Sequence, residues 1–142
     1  MLGILIATHG DLSIGLLDAA KLIVGKQENI RTMSLFHDTD ISTFGDIMKE
    51  NIEELNQGQG VIVFVDLFAA SPYNQAVLKK QELKDTPYKI ISGVNLPMLI
   101  ECLSLRMTEA EAPAEKVWER LLEAGKFGIK EFEQEFLAYN EK

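Results

Sequence analysis

His9 closes an apolar run, Leu2-Gly3-Ile4-Leu5-Ile6-Ala7, within the triplet Thr8-His9-Gly10. An imidazole at such a point can serve as nucleophile, general base or proton shuttle. Asp66 closes a second apolar run, and Ser71-Pro72 follows a few residues later. A carboxylate that accepts the N–H of one ring nitrogen fixes the tautomer and leaves the other nitrogen free to attack. It also stabilises the more cationic ring that forms once a phosphoryl group is attached. Ser71, with the N–H groups of a helix N-terminus around it, can receive phosphoryl oxygens. Thr8 can add a hydroxyl bond. Phosphoryl transfer needs an in-line nucleophile and donors for the equatorial oxygens. Each residue also has a structural reading. His9 can hold its own turn by bonding a carbonyl, Asp66 can cap a loop, and Ser71 and Asn95 can cap helices.

The elements that must position these groups read as alternating strands and helices. The run ending at His9 has the length and composition of a strand covered on both faces. A helix opens near Ser13, with Leu16, Leu17, Ala20 and Ile23 on one side. A strand at 30–36 leads through a polar loop, His37-Asp38-Thr39-Asp40, to a helix at 42–55. Phe44, Ile47, Met48, Ile52 and Leu55 form its core-facing stripe. The segment 60–65 is the strongest strand signal, and Ser71 as N-cap with Pro72 at the first helical position starts a helix. A short strand at 88–92 precedes a helix opening at Asn95-Leu96-Pro97, and Pro113 begins a long helix with Val117, Leu121 and Leu122 inward.

This alternation predicts one α/β domain, residues 1–128, with a doubly wound, mainly parallel four-stranded sheet. In such a sheet His9, Asp66 and the Gly93–Asn95 turn share one edge, where ligands bind. The tail, 129–142, is open to two readings: Phe132, Phe136 and Tyr139 have helical spacing, while 128–132 has the pattern of a short strand. An apolar tail beyond a closed domain wants a partner surface, and a dimer is expected. The pair Phe68 and Tyr73 places aromatics beside the proposed site, where they can form a docking rim.

Composition narrows the function further. The chain has 142 residues, 46% of them apolar, and a formal charge of -8. So acidic a surface disfavours nucleic acid and suits basic protein partners. The single cysteine, Cys102, gives neither a disulfide framework nor a cysteine metal site and reads as a small buried hydrophobe. No stretch has the length of a membrane span and no basic leader precedes the first strand, so a cytoplasmic location is expected. No Walker loop, dinucleotide fingerprint or nucleophile elbow is present. The two histidines lack metal-ligand spacing to each other, and no cofactor is implied.

Taken in order, the motifs resemble the IIA domain of the mannose family of the bacterial phosphoenolpyruvate-dependent sugar phosphotransferase system. The resemblance runs through Thr8-His9-Gly10, Gly15, the strand ending at Asp66, Ser71-Pro72-Tyr73-Asn74, and Ser92-Gly93-Val94-Asn95-Leu96-Pro97-Met98-Leu99. It implies that His9 takes a phosphoryl group from the carrier protein HPr and passes it to a IIB subunit. Sugar is then phosphorylated by IIB with membrane subunits IIC and IID. It implies that Asp66 bonds the active imidazole and that Ser71 lies close to the phosphoryl group, with Thr8, Gly10, Phe68, Ala69, Ala70 and Asn95 around the pocket or its rim. It also implies a homodimer that exchanges a C-terminal strand. One departure stands out: the family carries two glycines before Ser-Pro, and here they are Ala69 and Ala70. Two further readings share the fold: the phosphoryl carrier subunit of a dihydroxyacetone kinase system, and a regulatory relative without turnover. A histidine phosphatase or mutase is disfavoured, because no arginine lies near His9 in sequence.

Overall fold

The structure, a computed structural model, describes residues 1–141. The elements run β1 (Gly3–His9), α1 (Leu12–Val24), β2 (Ile30–Leu35), α2 (Ile41–Leu55), β3 (Val61–Val65), α3 (Ser71–Leu78), β4 (Tyr88–Ile91), α4 (Leu96–Thr108), α5 (Ala114–Phe127) and α6 (Phe132–Asn140). The four strands form one parallel sheet in the order β2-β1-β3-β4. This is the expected four-stranded α/β architecture.

The two central strands are apolar at nearly every position because both of their faces are covered. Side chains alternate between faces along each strand. Leu5, Ala7, Val61, Val63 and Val65 pack against Phe44, Met48, Ile52 and Leu55 of α2 and Ala76 of α3. Ile4, Ile6, Ile62 and Phe64 pack the other way, against Ala20 of α1 and residues of α4 and α5. Full burial of each large aliphatic side chain contributes about 1.5–3 kcal/mol. Gly3 is required where α2 crosses the start of β1, since a Cβ there would lie 2.6 Å from the Leu55 carbonyl oxygen. Cys102 is fully buried in this core, and burial pushes its thiol up to about 12, so it is an unreactive hydrophobe.

Chain order and sheet order together place the site. The chain leaves β1 for β2 through α1 on one face, then crosses back over β1 to β3 through α2 on the other. The direction of winding reverses between β1 and β3, so a crevice opens at their C-terminal ends. His9 ends β1, and Asp66 directly follows β3.

Several expectations are corrected. Ile23 is 59% exposed, and Val24 packs on the core in its place. Ile47 sits at the edge of the α2 stripe, partly exposed, and lines a groove of about 350 Å³ beside Met33 and Phe44. Ser71 is the first residue of α3, and the cap position falls to Ala70, with no side-chain cap bond. The tail is helical: α6 spans Phe132–Asn140, and no strand forms in it among the described residues. None of its residues is buried.

Candidate functional site

The site begins with a turn. After His9, Gly10 takes a left-handed conformation, φ 55°, which a side chain would strain. Its N–H donates to the Leu35 carbonyl of β2 at 2.8 Å, so the chain turns while still tied to the sheet. Thr8 is fully buried, and its hydroxyl oxygen accepts from the Ser13 N–H at 2.8 Å. Ser13 in turn donates through its hydroxyl to the Met33 carbonyl at 3.0 Å. These bonds fix the start of α1 against β1 and β2. Thr8, expected at the phosphoryl pocket or its rim, therefore braces the His9 turn from inside the fold.

His9 itself is half-exposed, with 46% of its side chain open, whereas the Asp66 side chain retains only 12%. The Asp66 carboxylate grips His9 twice with one oxygen. Oδ2 accepts from the His9 backbone N–H at 3.0 Å and lies 2.8 Å from the ring Nδ1. The other oxygen, Oδ1, accepts from the Leu67 N–H at 3.0 Å. A carboxylate only accepts, so Nδ1 carries the proton and donates it to Asp66. Nε2 is left with its lone pair and no hydrogen-bond partner among the described residues. Burial acts to raise the Asp66 pKa, but the bonds from the His9 backbone and ring outweigh it and hold the carboxyl below its ordinary value. Asp66 is thus a carboxylate throughout the neutral range.

The loop from Asp66 leads directly into α3. Ala69 adopts a left-handed conformation, φ 64°, and its carbonyl accepts from the Asn74 side-chain amide at 3.0 Å. Phe68 and Tyr73 do meet: their ring centroids are 4.7 Å apart, and Phe68 is 71% exposed. Ser71 follows Ala70 at the N-terminus of α3, a position whose free N–H groups favour anions. On the far side of Asp66, the Gly93 N–H donates to the Asp66 carbonyl at 3.1 Å, so the β4–α4 turn buttresses the same loop. Asn95 has a different occupation. Its Oδ1 caps α4 by accepting from Met98 N–H, and its Nδ2 donates to the Gly125 carbonyl. Its side chain joins α4 to α5.

His37 is exposed in the β2–α2 turn at this edge, and Asp11, Asp38 and Asp40 are exposed around it. The brace formed by Thr8, Ser13 and Met33 and the Asn74 bond to Ala69 carry no local sequence signature. Asn74 was legible only as a member of the Ser71–Asn74 motif.

A family model described as the PTS system fructose IIA component, EIIA-man, matches residues 3–118. The chain belongs to this family, the mannose-type IIA components. Its members are phosphoryl carriers, and the chain is accordingly a component of a phosphotransferase system. The fructose-specific EIIA component of Bacillus subtilis is 32% identical over 106 residues, 75% of this chain and 71% of that protein. The mannose-specific EIIAB component of Escherichia coli is 30% identical over 132 residues, 91% of this chain. This IIA chain spans only 39% of that longer protein. Among solved structures, the EIIA component from Streptococcus agalactiae superposes with a TM-score of 0.85 over 94% of this chain and 99% of its own, at 23% identity, and shares the fold. The IIA protein associated with the fucose utilization operon of Streptococcus pneumoniae gives a TM-score of 0.79 at 28% identity, covering 95% and 96% of the two chains. No helix among the described residues is long and apolar enough to cross a membrane.

Proposed function

We propose that His9 accepts a phosphoryl group from HPr on Nε2 and passes it to a IIB subunit. The observation that carries this reading is the grip of Asp66 on one side of the ring. Oδ2 holds Nδ1 at 2.8 Å and the His9 N–H at 3.0 Å, while Nε2 stays open. In the acceptance step the Nε2 lone pair attacks phosphorus, and the bond from phosphorus to the donor's imidazole breaks in line. The ring becomes more cationic as the new bond forms, and the Asp66 carboxylate, already in place, stabilises it. Ser71 and the free N–H groups at the start of α3 receive the phosphoryl oxygens. Asp66 and Ser71 are therefore the partners of His9 in the reaction, with Gly10, Phe68, Ala69 and Ala70 shaping its surroundings. Transfer onward to IIB runs the same geometry in reverse, and the IIC and IID subunits act later, on the sugar.

A carrier that meets two proteins in turn must expose its group, and a half-exposed ring on an open sheet edge suits that need. Leu12, Phe36, Leu67 and Phe68 are exposed apolar side chains at this edge, interspersed with Asp11 and Asp38. An apolar centre with an acidic rim favours a partner with basic residues around its own active histidine.

The domain division at 1–128 and 129–142 and a homodimer belong to the same reading. Phe127, Ile129, Phe132, Phe136, Leu137 and Tyr139 are all more than half exposed, an apolar surface that supports pairing with a second copy. Exchange of the 128–132 segment as a strand would require α6 to swing with it.

The test is mass spectrometry of the intact and digested protein after incubation with enzyme I, HPr and phosphoenolpyruvate, at neutral to alkaline pH to spare phosphohistidine. One added phosphoryl group on the peptide containing His9 is expected, and none on His9→Ala. Equal labelling of His9→Ala would overturn the assignment. Delivery to a purified IIB subunit, and none to a kinase subunit, completes it.

A further inference from the structure

Only two residues other than glycine have positive φ among the described residues: Asn29 at 51° and Ala69 at 64°. Asparagine reaches this region readily because its short amide bonds the local backbone. Here the Asn29 side chain donates to the Met1 and Leu55 carbonyls. Alanine has no such means, and an L residue is disfavoured in this conformation about tenfold or more. Something outside Ala69 must hold it there.

Two contacts do so, and both come from the first turn of α3. The Asn74 amide donates from Nδ2 to the Ala69 carbonyl at 3.0 Å. The Phe68 ring packs on the Tyr73 ring at 4.7 Å. The bond within the loop itself, from Ala70 N–H to the Leu67 carbonyl, is long at 3.4 Å. The peptide plane between Ala69 and Ala70 therefore takes its orientation mainly from Asn74. That plane lies in the short link between Asp66, which holds His9, and Ser71, which starts α3. If Ala69 relaxed to negative φ, the peptide would rotate and the N–H groups and hydroxyl at the start of α3 would be re-aimed relative to the ring.

We infer that Asn74 is a positioning residue for phosphoryl transfer: by anchoring the Ala69 carbonyl it holds a strained loop in the one conformation that presents the α3 N-terminus to His9. It touches neither His9 nor Asp66. This inference rests on the reading of His9 as the phosphoryl carrier. Asn74 is exposed, so its replacement leaves the core intact.

The test uses four proteins: wild type, Asn74→Ala, Ala69→Gly, and the double variant. Two quantities are read in each: the single-turnover rate of phosphoryl acceptance from phosphorylated HPr, and amide hydrogen exchange at residues 67–71 by NMR. Asn74→Ala is expected to slow acceptance about tenfold and to speed loop exchange by a similar factor, with the His9 ring resonances unchanged. Glycine takes positive φ without penalty, so in the Ala69→Gly background the same change should cost no more than about threefold in either quantity. Wild-type rate and exchange in Asn74→Ala would overturn the inference, as would an equal loss in both backgrounds. Should wild type itself accept nothing from HPr, the carrier reading fails separately, and the exchange data still decide whether Asn74 holds the loop.

Discussion

Replacing Asp66 by asparagine keeps the shape of the side chain and removes its charge. The carboxylate now satisfies three donors: the His9 ring at 2.8 Å, the His9 N–H at 3.0 Å and the Leu67 N–H at 3.0 Å. An amide has one acceptor oxygen and one donor group. With its oxygen toward Leu67, its N–H₂ faces Nδ1, which must then accept, and the ring proton moves to Nε2, the attacking atom. With its oxygen toward His9, the Leu67 N–H loses its partner and the forming cationic ring loses its counter-charge. A charge-assisted hydrogen bond contributes about 1.5–3 kcal/mol. The ring is half-open to water, so the lower part of that range applies, which predicts a loss of roughly tenfold to fortyfold in rate. The assay is single-turnover acceptance from phosphorylated HPr, with circular dichroism confirming the fold. Acceptance by a folded Asp66→Asn protein at the wild-type rate would refute the role given to the carboxylate.

The same pair makes stability depend on pH. The folded Asp66 pKa lies below its reference value of 3.8, so its contribution is present above that pH and is lost as pH falls through the folded value. Urea denaturation should show the stability gap between wild type and Asp66→Asn constant from neutral pH to about 4 and shrinking below it. Ser71→Ala removes a hydroxyl but leaves the backbone of α3 in place, so acceptance should fall about tenfold with Tm unchanged. Gly3→Ala forces a Cβ to within 2.6 Å of the Leu55 carbonyl oxygen, and thermal unfolding should register a loss of about 1–3 kcal/mol. Truncation after Gly128 removes α6 and most of the apolar tail; if the tail pairs two copies as proposed, light scattering should find a dimer for the full chain and a monomer for the truncated one.

The sheet was legible because its physics is local. Strands buried on both faces must be apolar throughout, and the runs before Thr8 and Asp66 are. Helix faces were legible except at their borders. Leu16, Leu17 and Ala20 point inward as expected, but the next inward position is Val24, because Ile23 lies beyond the edge of the stripe. Ile47 fails in the same way. Caps and loops were harder, since their partners are distant in sequence. Ser71 looked like an N-cap, yet the helix begins at Ser71 itself, one residue sooner, and the cap position falls to Ala70, next to the left-handed Ala69. Thr8 was read as a hydroxyl donor for the phosphoryl pocket or its rim, but it is fully buried and its oxygen accepts from the Ser13 N–H. Arg106 is buried and donates to the Leu2 and Asn29 carbonyls at the opposite edge of the sheet, a bond no sequence pattern announces. The pairing of His9 with Asp66 was legible because both close neighbouring parallel strands at one edge. Ala69 was legible as a departure from the family's glycines, but that it keeps a left-handed conformation, anchored by Asn74, required coordinates.

The most direct test of the account is ¹⁵N NMR of the phosphorylated protein with labelled histidine. Phosphorus coupling to Nε2 of His9, with Nδ1 still protonated, is the predicted result. Phosphorylation at Nδ1, or on any residue other than His9, would contradict it.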